Sequence, residues 1–178
     1  NWATSANGVG TAFPDVRGWN VDDGSFFSDA DVRAGRRVVV IGRTVAENLF
    51  GMENPLGKTI RIKNMPFKVL GLMERKGSNS MGHDQDDIVL MPYTTFKRVL
   101  QNSVFNNVNQ LLISLHSLDD LAEAKEEISA LLRMRHKLGN REDDFTVRDM
   151  TEVVDSITSI SRLMTVLLGV VASISLVV

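Results

Sequence analysis

The sequence predicts an α+β fold, strands and helices mixed along the chain, that feeds one long C-terminal helix into a membrane. Three observations predict it. Short β-branched runs such as Arg37–Ile41 (RVVVI) alternate with short helical patterns over the first 148 residues. From Thr151 onward a helical apolar period begins and does not stop. All 20 basic and 22 acidic residues lie at or before Arg162, and Leu163–Val178 (LMTVLLGVVASISLVV) carries no charge.

Composition sets the outer bounds. The 178 residues are 43% hydrophobic and 24% charged, the average of a globular protein rather than of a disordered or many-span chain. A formal charge of −2 argues against a basic nucleic-acid binder. With no cysteine there is no disulfide scaffold, thiolate zinc site or cysteine nucleophile.

The first 35 residues are rich in turn formers (Gly8, Gly10, Pro14, Gly18, Asp22 to Gly24, then Asp29 to Gly35), with short strands expected around Val9 to Val16. Arg37–Ile41 reads as a buried strand, punctuated by Gly42. Arg43–Phe50 follows as a short helix with Val45, Leu49 and Phe50 on one face and Gly51 past its end. Lys58–Lys63 (KTIRIK) alternates polar and apolar, Asn64–Pro66 is a turn and Phe67–Met73 returns, so 58–74 is a predicted hairpin. Glu74–Asp87 is a long polar loop, Ile88–Met91 a short strand, and Pro92 opens a helix over Tyr93–Leu100. Asn109–Leu115 (NQLLISL) and Asp144–Arg148 (DFTVR) are predicted strands. Between them Leu118–Leu138 is a helix, with Leu121, Ala124, Ile128, Leu131, Leu132 and Arg135 on one face, acids in its first turn, bases in its last and Gly139 as its stop.

The C-terminal pattern divides the chain further. Val153, Ile157, Ile160, Met164, Leu167, Val171 and Ile174 are spaced 4-3-4-3-4-3, a heptad seam that crosses the charge boundary. Thr165, Gly169 and Ser173 recur every four residues, a small-residue face that admits a neighbouring transmembrane helix. The expected organisation is an α+β domain over 1–148, a water-exposed stalk helix over 149–162 and the start of a transmembrane helix over 163–178. Sixteen helical residues rise about 24 Å, short of a bilayer core of ~30 Å, and no cap or polar exit closes the tail. The sequence therefore reads as an excerpt stopping inside a span.

Reactive constellations are weak. His83, Asp84, Asp86 and Asp87 offer oxygen and imidazole ligands, but their spacing matches neither a calcium loop nor a zinc site, and a solvated acidic loop is the expectation. His116, Ser117 and Asp119 hold the residue types of a triad, yet adjacent residues seldom assemble one. No phosphate-binding glycine motif occurs: Gly42 stands alone, and Pro55–Lys58 leads into a strand. The cluster Arg133, Arg135, His136, Lys137 and Arg141 reads as helix C-terminal charge, not a nucleic-acid patch, and Trp2 and Trp19 are too isolated to form a stacking platform. No catalytic, cofactor-binding or metal-binding residue is expected.

Several segments in order resemble the periplasmic domain of MacB-type ABC transporter permeases: Val38–Gly42 (VVVIG), Thr44–Gly51 (TVAENLFG), Asn54–Asn64 (NPLGKTIRIKN), Pro66–Leu72 (PFKVLGL), Gln85–Asp87 with Val89–Tyr93, Ile128–His136 (ISALLRMRH), Asp143–Val147 (DDFTV) and Leu167–Leu176 (LLGVVASISL). The resemblance implies a periplasmic domain made of a porter-like part and an inserted second part, set between the first two of four transmembrane helices of an inner-membrane homodimer. It implies a cytoplasmic ATPase domain, which binds ATP and Mg outside this chain, a periplasmic adaptor protein and an outer-membrane channel reached through it. The stalk seam would be the dimer contact and the lever for mechanotransmission, with residues 1–162 on the periplasmic side. The flank, with Asp149, Glu152 and Asp155 against Arg148 and Arg162, lacks the lysine excess of a cytoplasmic flank. Two alternatives stand beside it: a permease of a lipoprotein-releasing or cell-wall-hydrolase-regulating ABC system, and a soluble α/β enzyme with an apolar C-terminal helix.

Overall fold

A computed structural model of the chain describes residues 2–79, 82–101, 108–149 and 164–165. It divides into two compact units, Asn1–Ser114 and Leu115–Val178.

The first unit is built on a six-stranded mixed sheet. Its strands are β1 (Ser5–Val9), β2 (Val21–Gly24), β3 (Val38–Ile41), β4 (Thr59–Ile62), β5 (Met65–Met73) and β6 (Ile88–Pro92). The order is β1-β6-β3-β5-β2, with β4 also on β5. β3 lies parallel to β5 and antiparallel to β6, while β1 runs parallel to β6. Lys68 pairs with both Val38 and Thr59, and Gly71 with both Val40 and Gly24, so β4 and β2 share the edge of β5 opposite β3.

All four residues of β3 are buried, because both faces of the sheet are covered. Val39 and Ile41 face a cluster with Val45, Phe67, Val69, Val89 and Met91. This side is closed by α3 (Arg43–Phe50) and by α4 (Tyr93–Phe96) with the π-helical turn Lys97–Gln101 that follows it. Val38 and Val40 face Trp19, Phe27, Val32, Met73 and Leu90, closed by α1 (Phe13–Arg17) and α2 (Asp29–Ala34).

A bulge on β5 resets that alternation. Pairing with β3 steps from Val69 directly to Gly71, and pairing with β2 has its own irregularity two residues on, where Val21 and Asp23 face Met73 and Leu72. Leu72 therefore faces the Val39 cluster and Met73 the Trp19 cluster. Glycine is required on both sides of the bulge. A Cβ on Gly71 would lie 2.7 Å from the Ser25 carbonyl oxygen, and one on Gly24, at φ +85°, would lie 2.3 Å from that of Leu70.

The second unit contains α5 (Leu121–His136) and the chain that doubles back after it to Asp149.

Several expectations need correction. The first strand lies at Ser5–Val9, and the stretch after it is the helix α1, opened by Pro14 and ended by left-handed Gly18. The turn-rich Asp29–Gly35 is the helix α2, nucleated by a capping box in which Ser28 and Asp31 satisfy each other's backbone N–H. Tyr93–Leu100 is split between α4 and the π-helical turn. Asn109–Leu115 forms no strand: Leu111, Ile113 and Leu115 are exposed, and among the described residues no strand pairs with it to satisfy a ladder. Asp144–Arg148 is likewise not in a sheet. The predicted helix Leu118–Leu138 is trimmed to Leu121–His136, with Lys137 rather than Gly139 taking the left-handed capping position at φ 54°.

Of the stalk and membrane expectations, only Met164 and Thr165 are described; both are helical and Met164 is exposed. Val153, Ile157, Ile160, Leu167, Gly169, Val171, Ser173 and Ile174 lie outside the described residues. Among the described residues no helix is long and apolar enough to cross a membrane.

Candidate functional site

Two constructed regions stand out, one in each unit. In the first, the loop between β5 and β6 is clamped to the start of α3. Asp86 is 3% exposed, and its carboxylate accepts hydrogen bonds from the backbone N–H groups of Lys76 and Gly77 at 2.8 and 2.9 Å. Asp84 accepts from the Thr44 hydroxyl at 2.6 Å and from the Asp86 N–H, contacts that hold its carboxyl below the ordinary range. Arg75 pairs with Glu47 one turn further along α3. Gly42 seats the loop: its N–H donates to the Ile88 carbonyl, and a Cβ there would lie 2.1 Å from the Asp86 carbonyl oxygen.

His83 and Asp84 are exposed, as a solvated loop requires, whereas Asp86 is buried and Asp87 half-buried, which corrects that reading for these two. Asp84 and Asp86 fold the loop, and Asp87 accepts from the Trp2 indole N–H at 2.8 Å. No group of acids and histidines among the described residues is arranged to hold a metal. Trp19 belongs to the core, its indole N–H donating to the Glu74 carbonyl at 2.7 Å. Ser117 accepts from the Asp119 N–H in a turn before α5, which leaves His116 exposed and outside any triad.

In the second unit the basic end of α5 faces a run of acids. The helix ends in a left-handed cap: the N–H of Leu138 reaches the Arg133 carbonyl and that of Lys137 the Met134 carbonyl. Arg133 then gathers the turn. Its guanidinium donates to the carbonyls of Gly139 and Arg141 and pairs with Asp143. Arg141 donates back to the Lys137 carbonyl at 3.0 Å. His136 Nδ1 lies 2.7 Å from Asp144, and the hydrogen bond from His136 holds the Asp144 carboxyl low. The Phe145 ring stands edge-on to the same imidazole. Further on, Lys125 pairs with Asp149 at 3.0 Å, and the Asp149 side chain is only 10% exposed.

The basic cluster thus does more than complement the helix dipole. Arg133 and His136 bind acids of this chain. The sequence reading singled out Arg133 and His136 and missed their partners Asp143 and Asp144, and it missed the pair Lys125–Asp149 altogether. The signal available was charge order: Asp143 and Asp144 follow Arg133 and His136 by ten and eight residues across a tight turn.

A family model for the MacB-like periplasmic core domain matches residues 1–131. The chain belongs to this family. Among curated relatives, the macrolide export ATP-binding/permease protein MacB of Chlorobium luteolum is 40% identical over 97% of this chain. That of Wolinella succinogenes is 36% identical over 99%. The chain spans 26% and 27% of the length of those two relatives. The fold matches the crystal structure of the periplasmic region of MacB from Actinobacillus actinomycetemcomitans with a TM-score of 0.64 at 24% identity, over 86% of this chain and 64% of that one. It also matches the extracellular domain of the noncanonic ABC-type transporter YknZ from Gram-positive bacteria, again at 0.64 and 24%, over 81% and 69%. The MacB-like assignment replaces the soluble-enzyme alternative.

Proposed function

We propose that this chain is the extracytoplasmic coupling segment of a MacB-type export permease. In this reading the sheet unit is a rigid body, and the second unit joins it to a stalk helix over residues 149–162. ATP hydrolysis in a cytoplasmic domain of the same transporter moves the stalk, and the periplasmic part relays that motion to cargo. The observation that carries the reading is the extent of the match: MacB relatives align over 97–99% of this chain, including the uncharged tail.

Each expected partner has a place in this arrangement. A second copy packs along the seam Val153, Ile157, Ile160, Met164, Leu167, Val171 and Ile174. A periplasmic adaptor meets the part distal to the membrane and leads to an outer-membrane channel. Thr165, Gly169 and Ser173 receive a neighbouring transmembrane helix. ATP and Mg bind elsewhere in the transporter. The relatives' names make macrolides the first cargo to assay.

The fold similarity to a Gram-positive transporter domain supports a second output of the same device, without an outer-membrane channel. Lipoprotein release or control of a cell-wall hydrolase fits that description.

These 178 residues hold no cysteine, so in a full-length permease with any other cysteines replaced, a single introduced cysteine reports their topology. Glu123→Cys, on the exposed side of α5, is expected to react with a membrane-impermeant maleimide in intact spheroplasts of cells expressing the full-length permease. Labelling only after the inner membrane is permeabilised would contradict a periplasmic location.

A further inference from the structure

The chain after α5 runs back along the helix and is fastened to it at both ends. Arg133–Asp143 and His136–Asp144 fix the start, and Lys125–Asp149 fixes the finish. The pairing is antiparallel: the higher helix positions meet the lower positions of the returning segment. From Lys125 to His136 a helix rises about 16 Å. From Asp144 to Asp149 an extended chain also covers about 16 Å. The two lengths are comparable, so the chain beyond the bends at Asp144 and Phe145 is long enough to reach Lys125.

Burial agrees with that geometry. Phe145, Val147 and Asp149 are half-buried, while Asp144, Thr146 and Arg148 are exposed, the alternation of an extended chain lying on a surface. On the helix, Leu121, Ala124, Lys125, Ile128, Ser129, Leu132 and Arg133 form one half-buried stripe, which contains both Lys125 and Arg133. The segment has strand periodicity without a strand partner because it is held by side chains instead of a ladder.

We infer that Asp143–Asp149 is a charge-latched tether, and that Lys125, Arg133 and His136 are positioning residues that bind whatever follows Asp149 to α5. The inference rests on the coupling function proposed above: a displacement arriving at Asp149 from the stalk is passed to α5 because Asp149 is ion-paired directly to Lys125 on that helix. Lys125–Asp149 is the decisive pair. It is the fastening closest to the stalk, and the Asp149 side chain in it is only 10% exposed.

The test uses the full-length permease in nanodiscs and hydrogen–deuterium exchange, with and without a non-hydrolysable ATP analogue and Mg²⁺. In the parent protein, peptides covering 150–162 and α5 are expected to change exchange together when nucleotide binds. In Asp149→Lys the 150–162 response persists and the α5 response falls about five-fold or more. The charge swap Lys125→Glu/Asp149→Lys restores it. Asp149→Asn keeps the side-chain shape and is expected to show the same loss with unchanged exchange in the nucleotide-free state, which separates uncoupling from unfolding. An α5 response that survives in both single variants, or a swap that fails to restore it, overturns the tether. If 150–162 responds in the parent and α5 does not, the tether alone is wrong. If 150–162 does not respond at all, the coupling function falls with it.

Discussion

Asp31 shows how one side chain sets a helix. Its carboxylate accepts from the Ser28 hydroxyl and N–H at 2.7 and 2.8 Å and from Arg36 at 3.0 Å. The Ser28 contacts, led by the hydroxyl, hold its carboxyl below the ordinary range, with Arg36 adding to them. A depressed carboxyl contributes stability that is present above the unfolded value, ~3.9, and lost as pH falls through the lower folded one. Asp31→Asn is therefore expected to cost about 1 kcal/mol at neutral pH and to flatten the acid limb of a melting-temperature profile below about pH 4. A variant whose acid limb matches the parent's would show that Asp31 carries none of it. The capping box was available in the sequence as S-x-x-D. The pattern is ambiguous there because the helix is only six residues long and sits among glycines and aspartates that also make turns.

At the scale of elements, the legible parts were those whose burial follows from local pattern. β3, the β4–β5 hairpin, α3 and α5 were readable because period and composition agree there with what the tertiary structure buries. Runs that depend on a distant partner were not. Asn109–Leu115 has the composition of a strand, but a strand is a pairing, and the pairing is not encoded in the run itself. The bulge at Leu70–Gly71 was equally hidden, since Gly71 reads as an ordinary strand residue until Ser25 is placed against it. The β5–β6 loop yields a prediction at this scale. Asp86→Ala leaves two backbone N–H groups without their acceptor, at a cost of about 1–3 kcal/mol. Gly42→Ala forces backbone apart where no flexible side chain gives way, at a similar or larger cost. Both are expected to open the loop to limited proteolysis within 74–87 before the rest of the sheet unit is cut. Global unfolding without prior loop cleavage would show that the clamp is part of the core instead.

For the whole molecule, the site was less legible than the fold, for a physical reason. On the function proposed above the chain is a mechanical element, and such an element has no reactive constellation to find. The heptad seam and the cation cluster were visible as patterns, whereas the acids that latch the returning segment acquired meaning only through the turn that Arg133 gathers. The membrane-proximal account rests on the sequence pattern of 149–178 and on family membership. Its central claim is that the stalk must move for the transporter to work. The most direct measurement is a disulfide or bifunctional cross-link between cysteines at Ile160 in the two copies of a full-length dimer, with ATP-dependent export assayed before and after reduction. The account predicts that the cross-linked dimer loses export and that a reductant restores it. Efficient cross-linking that leaves export intact would contradict it.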